Sequence, residues 1–145
     1  MKAAVITLHS VANYGTQLQA LATQEKLKQY FDEVIFIDYR RPDTYGKGLL
    51  QTFTKGNMLK APFILPTLFY WKKIFGNFQN FNDCADIYFS GSDQVWNTGW
   101  NKGVIPFFYL SFVPNNKPKY AYASSFGKDK LSQKEIDESK KYLKQ

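Results

Sequence analysis

Cysteine and histidine each occur once in these 145 residues, as Cys84 and His9. A single cysteine cannot close an internal disulfide, so a reducing, cytoplasmic setting is expected, and neither cysteine-rich nor His/Cys zinc clusters can be assembled. No structural metal is expected. Long hydrophobic runs are missing as well. Ala3 to Leu8, following Lys2, imitates a signal peptide but is too brief for its apolar core. Ala61 to Lys73 (APFILPTLFYWKK) is far short of the ~20 residues that span a bilayer and contains Pro62 and Pro66. The common phosphate and hydrolase signatures are also missing. Gly46-Lys47-Gly48 does not continue to GxGxxG, no GxxxxGK[ST] occurs, and the only histidine precedes every serine that a GxSxG elbow would need.

What the chain does have is apolar mass and positive charge. Hydrophobic residues make up 44% and aromatics 18%, enough for one domain with its own core. The formal charge of +7 favours an anionic partner without naming one. Much of it lies late, at Lys117, Lys119, Lys128, Lys130, Lys134, Lys140, Lys141 and Lys144, interspersed with acids, which reads as a solvated helix face with its loop. With no zinc-finger spacing and no RNP-like string, nucleic acid is not an expected partner. For Trp71-Lys72-Lys73 the first reading is the end of a helix packed on a sheet, and a peripheral membrane-surface contact is the alternative.

The order of elements points to an α/β fold with a mostly parallel sheet. Ala3 to His9 is almost uniformly apolar, as a strand covered on both faces requires. After the polar turn Ser10 to Gly15, Leu18, Leu21, Ala22, Glu25 and Leu27 recur at helical spacing as far as Phe31, predicting an amphipathic helix. Val34 to Tyr39 is a second buried strand, completing the strand-helix-strand unit of a right-handed crossover. Residues 42–82 form an aromatic insertion of no clear period, with short helices expected at Leu49–Phe53 and Thr67–Phe75. Ile87 to Ser90 and Tyr120 to Ser125 are two further strands, and Phe107 to Leu110 is an edge strand or a hydrophobic plug. Ser132 with Glu135 makes a capping box opening a helix whose narrow stripe is Ile136 and Leu143. Lys144-Gln145 supplies neither glycine cap nor proline, so the chain reads as the front part of something longer.

In an open parallel sheet, ligands gather beyond the carboxyl ends of the strands. Polar clusters fall at three such ends: HSVANYG from His9 to Gly15, SGSDQVWN from Ser90 to Asn97, and SSFG from Ser124 to Gly127. Gly15 and Gly91 let the backbone approach a ligand closely or adopt positive φ. Asp93 can accept a hydroxyl hydrogen bond or act as general acid or base, Gln94 and Asn97 both donate and accept, and Trp96 offers a flat apolar face to a sugar ring. The plainer reading stands beside it: Asp93 closes an Asx turn, Trp96 enters the core, and Ser124 and Ser125 only bond backbone. His9, closing a buried strand, is first of all a hydrogen-bonded core histidine, with substrate binding as the second reading. Composition and spacing alone lead to an α/β domain with a polar, sugar-compatible cleft.

The strings AVITLHSVANYGTQLQALA, FSGSDQVWN and KYAYASSFG, in this order and spacing, resemble the amino-terminal half of the polysaccharide pyruvyl transferase family. The resemblance implies a single Rossmann-like domain over residues 1–145, one half of a glycosyltransferase-B-like two-domain protein. The implied activity transfers a pyruvyl group from phosphoenolpyruvate, the donor substrate, to two hydroxyls of one sugar as a cyclic ketal, on a glycan or lipid-linked oligosaccharide acceptor and with no cofactor. It also implies a site: Asn13, Tyr14, Gly15, Gly91, Ser92, Asp93, Gln94, Trp96, Asn97, Ser124 and Ser125 match its motifs around substrate, with Phe126 and Gly127 closing the last turn, and Asp93, as the strand-end carboxylate, is the expected catalytic group for proton transfer or hydroxyl orientation. Departure of phosphate calls for arginines, yet only Arg40 and Arg41 are present, so the main donor-binding groups are expected in the other half. A non-catalytic glycan- or nucleotide-binding domain of the same fold is the alternative.

Overall fold

A computed structural model describes residues 1–8, 13–37, 39, 81 and 83–143. The strands β1 (Lys2–Ile6), β2 (Glu33–Phe36), β3 (Ile87–Ser90) and β4 (Lys119–Ala121) form one parallel sheet in the order β2-β1-β3-β4. The fold is thus α/β and Rossmann-like, as the apolar run at the amino terminus requires. Alternate side chains of β1 enter two separate cores. Ala3 and Val5 join Ala20, Leu27, Val34, Phe36, Ile87 and Phe89 on one face, while Ala4 and Ile6 join Ile35, Ile37, Tyr88, Val95, Phe108 and Leu110 on the other. Because β2 lies on one side of β1 and β3 on the other, the sheet reverses its direction of growth between them. The carboxyl ends of β1 and β3 therefore flank the switch point at which open α/β sheets leave a crevice.

Helix α1 (Tyr14–Leu27) forms where a helix is expected, but it turns a different face inward. Leu18 is 63% exposed and Leu21 38%, and Ala22 is exposed too; the buried positions are Thr16, Gln17, Ala20, Thr23, Gln24 and Leu27. Of the residues expected to form the apolar stripe, only Leu27 is buried. Hydrophobicity lost to hydrogen bonding here: the amino-terminal part of the helix lies against a polar loop, described below. The helix also starts at Tyr14 and ends at Leu27, earlier than Phe31 at its far end.

The segment left open between edge strand and plug is a plug. Residues Pro106–Tyr109 are a 3-10 helix, with Phe108 and Leu110 buried against the sheet and Tyr109 buried against Trp96 and the last helix. Phe107 stacks between Tyr39 at 4.3 Å and Phe112 at 4.1 Å. The last helix of the described chain, α3 (Gln133–Leu143), opens with the expected capping box: the Ser132 backbone N–H and hydroxyl both donate to Glu135 Oε2 at 2.8 Å. Its inner face centres on buried Ser139, whose Oγ lies 3.1 Å from the Tyr109 hydroxyl, while Leu143 is exposed. A short helix α2 (Thr98–Asn101) precedes the plug.

β4 is shorter than Tyr120 to Ser125. Ala123 adopts φ +50° and interrupts the strand, after which Ser124 resumes parallel pairing as a single bridge to Asp93. The helices expected at Leu49–Phe53 and Thr67–Phe75, with His9, Arg40 and Arg41, lie outside the described residues. Among the described residues, no helix is long and apolar enough to cross a membrane.

Candidate functional site

The loop leaving β3 is fixed first by its backbone. Gly91 N–H donates to Ile6 O at 3.0 Å, carrying the β1 pairing one residue past the strand. Gly91 has φ +106°, and a Cβ there would stand 2.3 Å from Tyr122 O and 2.4 Å from Ser124 Oγ, so only glycine fits. Asp93 itself has φ +94°. Asp93 N–H donates to Ala123 O at 3.2 Å, Ser125 N–H donates to Asp93 O at 3.0 Å, and Trp96 N–H donates to Ser125 O at 3.2 Å. With Ser124 Oγ donating to Ser90 O at 2.7 Å, the loops after β3 and β4 interlock.

The polar side of α1 closes on the same loop. Thr16 Oγ1 donates to Asp93 Oδ2 at 3.2 Å, and Thr7 Oγ1, just past β1, donates to Ser92 O at 2.6 Å. Thr23 Oγ1 donates to Gln19 O at 2.8 Å and lies 2.7 Å from Ser92 Oγ. A hydroxyl carries one hydrogen, so with that of Thr23 committed to Gln19, Ser92 is the donor to Thr23. The second carboxylate oxygen of Asp93, Oδ1, accepts from Gln94 N–H at 2.7 Å. Asn13 caps the helix, accepting from Gly15 N–H at 2.8 Å, and the first turn contains no acidic residue of its own. Asp93 supplies the negative charge that the positive end of the helix dipole favours.

On the far side of Asp93 a second network fixes Gln94 and Asn97. Asn97 Nδ2 donates to Gln94 Oε1 at 2.8 Å, while Asn97 Oδ1 caps α2 by accepting from Gly99 N–H at 3.0 Å and Trp100 N–H at 3.2 Å. Gly127, at φ +61°, lets the third loop pass over this pair: a Cβ there would meet Gln94 Oε1 at 2.3 Å. The next residue, Lys128, donates to Thr98 Oγ1 at 2.7 Å and to Glu135, which also accepts from Thr98. The Lys128 ammonium, followed by the Thr98 hydroxyl and the Ser132 donors, holds the Glu135 carboxyl well below the usual carboxylate range. The starts of α2 and α3 are thereby tied to the loop after β4.

The second and third polar clusters interlock through the loops after β3 and β4, and of the first cluster Asn13 to Gly15 open α1, whose next residue, Thr16, bonds Asp93. Asp93 is half-buried and Asn13, Tyr14, Gly15, Gln94 and Ser125 are exposed, whereas Gly91, Ser92 and Asn97 are buried and Ser124 is half-buried. The Ser92 and Ser124 hydroxyls are engaged by protein. Trp96 is engaged as well: its indole N–H donates to Phe108 O at 3.1 Å, and its ring stacks on Tyr109 at 5.2 Å and packs on Phe126 at 5.4 Å. That geometry matches the core reading of the indole. Sequence reasoning overlooked Thr7, Thr16, Thr23 and the Lys128–Thr98–Glu135 cluster. Part of this was readable, since Thr16, Ala20, Thr23 and Leu27 recur at the i, i+4, i+7, i+11 spacing of one helix face.

The family model for polysaccharide pyruvyl transferases matches residues 13–145. The chain belongs to this family. The match starts at Asn13, the cap of α1, and takes in the Asp93 loop, the turn after β4 and α3. Every described residue that bonds the Asp93 carboxylate lies inside it. Transferase chemistry is therefore the class of activity that the family indicates. No curated protein and no solved structure matches the chain.

Proposed function

We propose that this domain supplies the acceptor side of a pyruvyl transferase that uses phosphoenolpyruvate as donor and closes a cyclic ketal on one sugar of a surface polysaccharide. Protonation of the donor's methylene carbon leaves positive charge on the neighbouring carbon, where one sugar hydroxyl adds. Phosphate then departs, and a second hydroxyl of the same sugar closes the ring. Each attacking hydroxyl gives up its proton; one proton balances the new methyl group and the other leaves with phosphate. A carboxylate within hydrogen-bond reach of the attacking hydroxyl fits this step. In this reading Asp93 accepts that hydrogen bond, and Gln94 and Ser125, both exposed beside it, orient the remaining hydroxyls.

The observation that carries the proposal is the placement of Asp93. Its carboxylate is half-buried at the β1/β3 switch point and held by the Thr16 hydroxyl and the Gln94 N–H, and no described cation pairs with it. A carboxylate with spare lone pairs suits the hydroxyls of an acceptor, whereas a phosphate-bearing donor needs cations. The donor phosphate is accordingly assigned to groups beyond this cluster.

The test uses the full-length protein with phosphoenolpyruvate and a panel of sugars and oligosaccharides. Acceptor-dependent release of inorganic phosphate, with a ketal methyl signal in the product's proton spectrum, is the expected result. Asp93→Asn should lower that turnover by at least about 100-fold, the scale of one positioned proton-transfer group. Sugar binding without phosphate release would replace the transferase reading with that of a glycan-binding module.

A further inference from the structure

The buried polar face of α1 is at odds with ordinary helix packing. A helix on a parallel sheet buries an apolar stripe, yet this one exposes Leu18 and Leu21 and buries Thr16, Gln17, Thr23 and Gln24. Burying hydroxyls is tolerated only where they are hydrogen-bonded. The Thr16 and Thr23 hydroxyls are, and their partners across the interface are the two consecutive residues Ser92 and Asp93. Thr7 holds the same loop from β1, through the Ser92 carbonyl.

We propose that Thr16 is a positioning residue: its hydroxyl, in the first turn of α1, sets the orientation of the Asp93 carboxylate, while Thr23, through the Ser92 hydroxyl, and Thr7, through the Ser92 carbonyl, hold the residue that precedes Asp93. The proposal rests on the reading of Asp93 given above. Oδ1 is held by the adjoining Gln94 N–H, a local bond that moves with the loop, so Thr16 is the described contact that references the carboxylate to a different element of the fold. Without it, the remaining described bond to the carboxylate comes from its own loop. The outward Leu18 and Leu21 follow from the same rotation of the helix, which has to aim Thr16 and Thr23 at the loop.

Thr16→Val keeps the shape of the side chain and deletes the hydroxyl; Thr16→Ser keeps the hydroxyl and deletes the methyl group. In the full-length protein, steady-state phosphate release from phosphoenolpyruvate with a working acceptor is measured for both, beside Asp93→Asn. The expectation is a kcat loss of about tenfold to 100-fold for Thr16→Val, the scale of a small misplacement at a reacting group. KM for phosphoenolpyruvate should stay unchanged, and Thr16→Ser should remain within about twofold of the parent. If Thr16→Val does not fold, as judged by circular dichroism, Thr16→Ala takes its place with the same expectation. Equal losses in Thr16→Val and Thr16→Ser would assign the effect to packing and overturn the proposal. A wild-type kcat in Thr16→Val alongside a crippled Asp93→Asn would overturn the positioning role and leave the reading of Asp93 standing. A wild-type kcat in Asp93→Asn would overturn both.

Discussion

Replacing Gly91 by alanine tests whether the loops after β3 and β4 are locked as described. Two costs are expected. The first is backbone strain, because φ +106° is a region that side chains rarely occupy, at about 1–3 kcal/mol. The second is steric, since the new Cβ would lie 2.3 Å from Tyr122 O, a backbone atom that cannot swing aside, and 2.4 Å from Ser124 Oγ. Forcing these apart is an overpacking cost of about 1–3 kcal/mol. Gly103 separates the two contributions, because it has φ +129° and a Cβ there meets nothing within 4 Å. Gly103→Ala should therefore show strain alone, and Gly91→Ala strain plus clash. In urea unfolding, with a slope on the order of 2 kcal/mol per molar, the difference between the variants is about 0.5–1.5 M in midpoint. Equal midpoints for the two variants would refute the reasoning, since they would mean that the loop after β4 yields to a methyl group at no cost.

Two further predictions concern the helices. Leu27→Ala, at a buried position of α1, should cost about 2–5 kcal/mol, whereas Leu18→Ala, 63% exposed, should stay within about 0.5 kcal/mol; equilibrium denaturation of both variants reads out the difference, and the reverse order would mean that α1 is rotated. In the capping box of α3, Glu135 has a folded-state pKa lowered by Lys128, Thr98 and Ser132, so its contribution to stability is complete above the ordinary carboxylate value near ~4.3 and is lost as pH falls below it. Thermal melts of the parent and of Glu135→Gln should differ at neutral pH and converge in acid, and a gap that widens on acidification would contradict the Lys128–Thr98–Glu135 arrangement.

Elements whose signal is apolar and continuous were legible in the sequence. β1 and β3 are buried on both faces, and their runs announced this; the capping box at Ser132 and Glu135 forms as its spacing implies. The outlook was poorer where polar atoms decide the packing. The face of α1 was misread because Leu18 and Leu21 outweigh Thr16 and Thr23 on any hydrophobic scale, and only the position of the Asp93 loop shows why the threonines turn inward. β4 ran short for a comparable reason: the backbone of Ala123 at φ +50° breaks the strand, and nothing in Tyr-Ala-Ser-Ser marks it. Of the two glycines singled out for close approach to a ligand or positive φ, Gly91 has φ +106° and Gly15 lies within α1 without a positive φ. Trp96 carried two readings that its composition could not separate, and the Phe108 carbonyl with the Tyr109 ring accounts for its place.

The proposed acceptor site lies at the Asp93 carboxylate, beyond the ends of β1 and β3. A crystal structure of the full-length protein with an acceptor sugar bound tests this most directly. A sugar hydroxyl is expected roughly 2.6–3.2 Å from a carboxylate oxygen of Asp93, with Gln94 or Ser125 on a neighbouring hydroxyl. A sugar seated elsewhere on the domain, with the Asp93 carboxylate touching only Thr16 and Gln94, would contradict it.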